Sequence, residues 1–154
     1  MDYISYIRSK VGHDKIMINF AGGILCQDGK ILLQKRADKK TWNLPGGAIE
    51  LGESAVQACK REFLEETGLH VRPVALQNIY TMYEDSYPNG DQLQNITTIY
   101  VVEAEEVGDL TDFSNEETLE LGFFSQDEIA ELNLSQRHRD MISDFFSDIP
   151  PLER

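Results

Sequence analysis

Short apolar runs bounded by turn residues dominate the first third of the chain. Ile16 to Cys26 reads IMINFAGGILC, a run of strand length, and Ile31 to Gln34 is its partner across Gln27-Asp28-Gly29-Lys30. An Asp-Gly pair between two such runs is hairpin turn chemistry. Gly22 and Gly23 interrupt the first strand, which signals either a bulge or a close approach by another backbone or a ligand. Val71–Tyr83 and Leu93–Glu103 read as longer strands around the turn Pro88-Asn89-Gly90-Asp91, and Leu119–Phe124 as a last one. Apolar spacing predicts a short helix over residues 3–11 and two more near Gln126–Leu132 and Gln136–Phe146, with Pro150-Pro151 ending regular structure. The segment Asn43 to Gly47 is loop material.

The best-marked helix begins near Ser54. Ser54 and Gln57 have capping-box spacing, and Gly68 stands where a left-handed C-terminal residue is wanted. At about 100° per residue, Ala55, Val56, Cys59 and Phe63 fall on one side, a stripe that can pack on a sheet. Strands interrupted by one capped helix and followed by two more imply an α/β fold, a mixed sheet covered by helices.

Composition narrows the class. The chain has 154 residues, 41% hydrophobic and 27% charged, which suits a single domain over residues 1–154. Residues 1–12 form an N-terminal extension that packs on the sheet, covers a site or contributes to a homodimer. Asp and Glu total 27 against 14 Lys and Arg, a net charge of -13 that argues against nucleic acid or an anionic membrane as partner. Cys26 and Cys59 form no metal-ligand pattern and read as reduced core thiols. With no signal-peptide h-region and no apolar run long enough to span a bilayer, a cytoplasmic protein is expected.

The candidate chemistry lies between Gly47 and Leu69, GAIELGESAVQACKREFLEETGL. Helical spacing gathers Glu62, Glu65 and Glu66 into roughly a 100° arc beside the apolar stripe. Two carboxylates about 5 Å apart repel by roughly 3 kcal/mol at an effective dielectric of about 20. One of them takes up a proton, or a cation sits among them. Oxygen donors without His or Cys favour Mg²⁺ or Mn²⁺ over zinc. A solvated acidic helix face is the competing reading. The adjacent Pro45-Gly46-Gly47 shifts the balance, because its bare backbone can offer carbonyls to a metal and lets phosphate approach.

Gly47, Glu53, Arg61-Glu62-Phe63, Glu65-Glu66, Gly68 and Leu69 fill every fixed position of a known box. It runs Gly, five residues, Glu, seven residues, then Arg-Glu-apolar-any-Glu-Glu-any-Gly-apolar. The sequence resembles the Nudix hydrolases, and the Gly22-Gly23 strand, Arg36 and the Trp42-x-Leu-Pro-Gly-Gly context extend the likeness. The resemblance implies an α/β/α sandwich with a central mixed sheet. It also implies Mg²⁺-dependent hydrolysis of a nucleoside diphosphate linked to another moiety, with Mn²⁺ as a substitute. Glu62, Glu65 and Glu66 would be metal ligands, joined by a carbonyl of Gly46 or Gly47. Glu53 would sit at the edge of the metal site and pair with Arg61, whose bland alternative is a surface pair with Glu65.

Outside the box the choices stay open. Glu65 is the first choice for general base, with Glu117 and Glu120 behind it. Arg36 could grip a substrate phosphate in bidentate fashion, and Trp42 and Tyr83 could stack on a base or be plain packing. An ADP-ribose-like nucleotide sugar is the favoured substrate, ahead of nucleoside triphosphates, in a nucleotide-pool sanitising role, and dinucleoside polyphosphates. The alternative class is a regulatory module that binds nucleotide without cleaving it.

Overall fold

The computed structural model describes residues 1–149 and 151–154. Its elements are α1 (Tyr3–Val11), β1 (Ile16–Gln27), β2 (Lys30–Arg36), β3 (Trp42–Asn43), β4 (Gly46–Ala48), α2 (Ala55–Thr67), β5 (Arg72–Ser86), β6 (Gln92–Glu103), β7 (Thr118–Phe124), α3 (Gln126–Ala130) and α4 (Gln136–Phe146). Both proposed turns form. Asp28 and Gly29 take positive φ of 52° and 76°, as a tight hairpin with the twist of its strands requires. Tyr87 N–H donates to Asp91 O and Gly90 N–H to Tyr87 O across the second turn. The run expected to be a loop at Asn43–Gly47 instead contributes β3 and β4, because Gly46 and Gly47 pair with Gly22 and Ala21 of β1. Of the proposed Pro150-Pro151 stop, Pro150 lies outside the described residues, and Pro151 is in neither helix nor strand.

The sheet is mixed. β1 runs parallel to β6 from Ile16–Leu93 to Leu25–Val102, while β5 pairs antiparallel with β6 and β7 with β2. Alternation along the strands sends neighbouring residues to opposite layers. Ile24, Ile31 and Leu33 join Met141 and Ile142 of α4 in one core. Leu25 and Leu32 join Ala58, Cys59 and Phe63 of α2 in the other. The result is an α/β/α sandwich. Among the described residues no helix is long and apolar enough to cross a membrane.

Helix α2 carries its expected capping box at Ser54 and Gln57 and a left-handed Gly68. Its buried side is rotated from the expected stripe: Val56 is 39% exposed, and Ala58 takes its place beside Cys59 and Phe63. The rotation turns Glu66 toward the sheet. Gly23 permits the close seat, since a Cβ there would lie 2.8 Å from Val102 Cγ1 and 3.0 Å from the Phe63 ring. The β1–β6 register runs unbroken through Gly22 and Gly23, so these glycines mark close approach rather than a bulge.

Phe63→Ala should lower the unfolding free energy by about 3–5 kcal/mol, and Val56→Ala by no more than about 0.5. Denaturant titration of both variants checks this orientation of α2, and equal losses would contradict it.

Candidate active site

The rotation of α2 places charge where a core residue would ordinarily lie. Glu66 is only 2% exposed, and Gly46 N–H donates to its Oε1 at 2.7 Å. Glu62, one turn earlier, occupies the space above Gly47, where any Cβ would overlap its carboxylate. Gly46 must itself be bare, because a Cβ there would lie 2.7 Å from Ala21 O and 2.8 Å from Gly22 Cα. The glycines thus let a strand slide under an acidic helix face.

Glu117, from the segment leading into β7, completes the cluster. Carboxylate oxygens of Glu62, Glu66 and Glu117 all lie within 4.8 Å of one another. This differs from the grouping expected from helical spacing, which set Glu65 beside Glu62 and Glu66. The Glu65 side chain is 48% exposed and turns toward Arg61, at 3.4 Å. Helical spacing alone ignores which flank the sheet covers, and it cannot register a residue arriving from another segment.

Burial raises the Glu66 pKa to about 8, with repulsion from Glu62 adding to the effect. Burial also raises that of Glu62, partly countered by Arg61. The cluster without a cation is therefore held together by protonation. Three converging carboxylates with no nitrogen or sulfur donor fit a hard divalent cation.

Arg61 ties the helix to the loop before it. Its Nε donates to Glu53 Oε2 at 2.7 Å and its Nη2 to Glu53 Oε1 at 2.9 Å and to Ala48 O at 3.0 Å. Its Nη1 donates to Glu62 Oε1 at 2.8 Å. These hydrogen bonds hold the Glu53 carboxyl below its usual pKa. The contact with Glu65 is the longest of the set, so a plain i,i+4 surface pair does not describe this residue.

The cluster lies in a cleft of about 970 Å³. Gly46, Gly47, Arg36, Arg61, Glu65 and Glu117 line one part, and Ile4 and Arg8 of α1 stand along its rim. Arg8 also donates to Gln92 O of β6 at 2.7 Å, so α1 both lines the cleft and meets the sheet. Glu53 and Glu120 do not line the cleft; Glu120 sits 4.0 Å from Lys35. The bidentate grip expected of Arg36 on phosphate is already given to Asp38, at 3.0 and 2.9 Å.

Trp42 and Tyr83 do not line the cleft either, and of the two readings open to them plain packing is the one their placement favours. Trp42 is buried with its ring edge-on to Phe124 at 4.9 Å, and the Tyr83 hydroxyl donates to Asp140 of α4. The wall is made instead by Tyr87, Asp85, Arg137 and His138. Arg137 donates to Asp85 at 2.8 Å, a pairing across the chain that no local pattern announces. Local motif gives His138 no partner, but the fold does: Leu44 N–H donates to its Nδ1 at 3.3 Å. Burial pushes its pKa down to about 3, so the ring is neutral with its proton on Nε2.

The NUDIX domain family model matches residues 19–145. The chain belongs to the Nudix family. It is 41% identical over 63 residues to a MutT-like protein of Streptomyces ambofaciens, 41% of each chain. It is 37% identical over 86 residues to an ADP-ribose pyrophosphatase of Methanocaldococcus jannaschii, 54% of this chain and 50% of that one. The matched stretches thus span no more than half of these relatives. A solved NUDIX hydrolase from Nitrosomonas europaea superposes with a TM-score of 0.68 at 26% identity, covering 84% of this chain and 88% of that one. A MutT NUDIX hydrolase from Burkholderia pseudomallei shares the fold at 22% identity and a TM-score of 0.68, over 85% and 98% of the two chains. Membership in the Nudix family accounts for the sandwich and for the glycine strand beneath α2.

The raised Glu66 pKa has a pH signature in this Nudix domain. Its folded pKa of about 8 lies above its ordinary 4.5, so its contribution to stability is fully present below about 4.5 and is lost as pH rises through 8. His138, ordinarily 6.5, contributes a constant amount above that pH. In chelator, Glu66→Gln should therefore gain thermal stability relative to the native protein between pH 6.5 and 8.5. A difference in Tm that stays flat over this range would contradict the assignment.

Proposed function

We propose that the chain is a Mg²⁺-dependent Nudix pyrophosphohydrolase whose favoured substrate is an ADP-ribose-like nucleotide sugar. The observation that carries this reading is the trio of Glu62, Glu66 and Glu117 beside the Gly46-Gly47 strand at one end of a large cleft. These carboxylates, with a carbonyl of Gly46 or Gly47, would hold the divalent ion, and Mn²⁺ would substitute. The ion supplies charge neutralisation of the phosphate oxygens and an activated water.

This chain's own groups do the rest. Arg61 holds Glu62 in place and locks the preceding loop through Glu53. Glu65, at the cleft and half open to solvent, is our choice for the general base. It takes the proton as the water oxygen bonds to phosphorus and the bridging P–O bond breaks. The electron pair leaves on the departing phosphate, and both products carry phosphate.

The character of the cleft favours the sugar-linked substrate. Apart from Arg61 and the carboxylates Glu62, Glu65, Glu66 and Glu117, the lining carries five acids (Asp2, Asp38, Glu50, Asp85, Asp91) and four bases (Arg8, Arg36, Lys39, Arg137). A wall without excess positive charge suits a neutral moiety rich in hydroxyl and amine groups better than a third phosphate. The Asp85–Arg137 pair offers an acceptor and donors side by side for such a group. The high negative charge of the chain disfavours capped RNA.

A panel of nucleotide sugars, nucleoside triphosphates and dinucleoside polyphosphates, assayed with Mg²⁺ and with Mn²⁺, tests the reading. ADP-ribose-like substrates should show the highest kcat/KM, and Glu62→Gln and Glu66→Gln should each lower turnover about a hundredfold or more. Unchanged rates in both variants would remove the mechanism. Tight binding with no turnover on any member would favour the regulatory module.

A further inference from the structure

Glu117 reaches the cluster from a segment that begins far from α2 in sequence, so something must fix its place. Helix α2 ends at Thr67, and its last carbonyls have no partner within the helix. Two side chains of the approaching segment meet them. Asn115 Nδ2 donates to Glu65 O at 2.8 Å, and Thr118 Oγ1 donates to Glu66 O at 2.8 Å. The other end of the same Asn115 amide folds its own segment, with Oδ1 accepting from Glu117 N and Thr118 N, both at 2.9 Å. Asn115 N–H closes the loop on Thr118 O at 3.0 Å.

The remaining contacts work in the same direction. Gln34 Nε2 donates to Thr118 Oγ1 at 2.8 Å, and Ala37 N–H donates to Glu117 O at 2.9 Å. Glu117 thus sits between two residues that grip the carbonyls of Glu65 and Glu66. The Asn115 carboxamide does both jobs at once, its Nδ2 donating to the helix while its Oδ1 accepts from the loop.

We infer that Asn115 is a positioning residue that brings Glu117 into the cation-binding carboxylate set by clamping its segment to the open end of α2. The inference rests on the reading of the cluster as a cation site. It concerns how the third carboxylate is held, and Asn115 need touch neither cation nor substrate.

Calorimetric titration of Mn²⁺ into the native protein and the variants Asn115→Ala, Glu117→Gln and their combination tests it, with no substrate present. Thermal unfolding in chelator checks that each is folded. Asn115→Ala should weaken Mn²⁺ binding about tenfold, as loss of a partner that orients a ligand commonly does. In the Glu117→Gln background the same change should alter affinity less than twofold, because its route of action is gone. Asn115→Ser, which can accept from the loop N–H groups but is too short to span to Glu65 O, should behave like Asn115→Ala and replaces it if the alanine variant is unfolded.

An effect of Asn115→Ala that persists undiminished without the Glu117 carboxylate would overturn the clamp while leaving the cation site standing. So would native affinity in Asn115→Ala. Absence of Mn²⁺ uptake by the native protein would overturn the site itself and the clamp with it.

Discussion

The crowding of carboxylates around the buried Glu66, at the seam between α2 and the glycine strand, governs the rest of this molecule. Glu66 occupies a position that would ordinarily belong to a core side chain, and Glu62 and Glu117 converge on it. Burying one such charge is unfavourable, and setting two further carboxylates beside it is worse. The arrangement persists because the surrounding packing over-determines it. Phe63 and Cys59 seat the helix, Gly23 lets it approach the sheet, and Gly46 and Gly47 leave no side chain in the way. Strain of this kind, held in place by an otherwise well-packed fold, marks a site where chemistry is done.

The neighbouring charges divide the work. Arg61 is bound on three sides, to Glu53, Glu62 and the Ala48 carbonyl, so it stiffens the loop-to-helix junction while countering one carboxylate. Arg36 is tied to Asp38, and Arg137 to Asp85, which leaves the cleft polar yet without surplus positive charge. On the proposed function, a cation held by the cluster lets this strongly acidic protein gather an anionic diphosphate, and the far wall takes the uncharged part of the ligand.

Much of this was legible in the sequence where the signal is local. The Asp28-Gly29 hairpin, the Ser54–Gln57 box and the Gly68 stop each depend on a few adjacent residues, and each forms as read. The Nudix box likewise lies within one loop and one helix. Features that depend on the third dimension leave no such local mark. Helical spacing cannot say which flank of α2 the sheet covers, so Val56 was assigned a buried place that Ala58 holds. Helical spacing groups Glu65 with Glu62 and Glu66 but cannot announce Glu117, which converges on Glu62 and Glu66 from a distant segment. Trp42 and Tyr83 carry no mark of the direction they face, and packing turned both toward the α4 side of the sheet. The Asn115 clamp has only a faint local trace, an Asx-type pattern ahead of Glu117 and Thr118.

The central claim is that the Glu62, Glu66 and Glu117 cluster exchanges protons for a divalent cation. Titrating Mn²⁺ into metal-free protein near pH 7, in buffers of different ionisation enthalpy, measures uptake and proton release together. With Glu66 protonated below about 8, the account predicts saturable binding accompanied by net release of protons, which fades as pH rises past that value. Saturable binding with no proton release at pH 7, or no uptake with or without nucleotide, would contradict it.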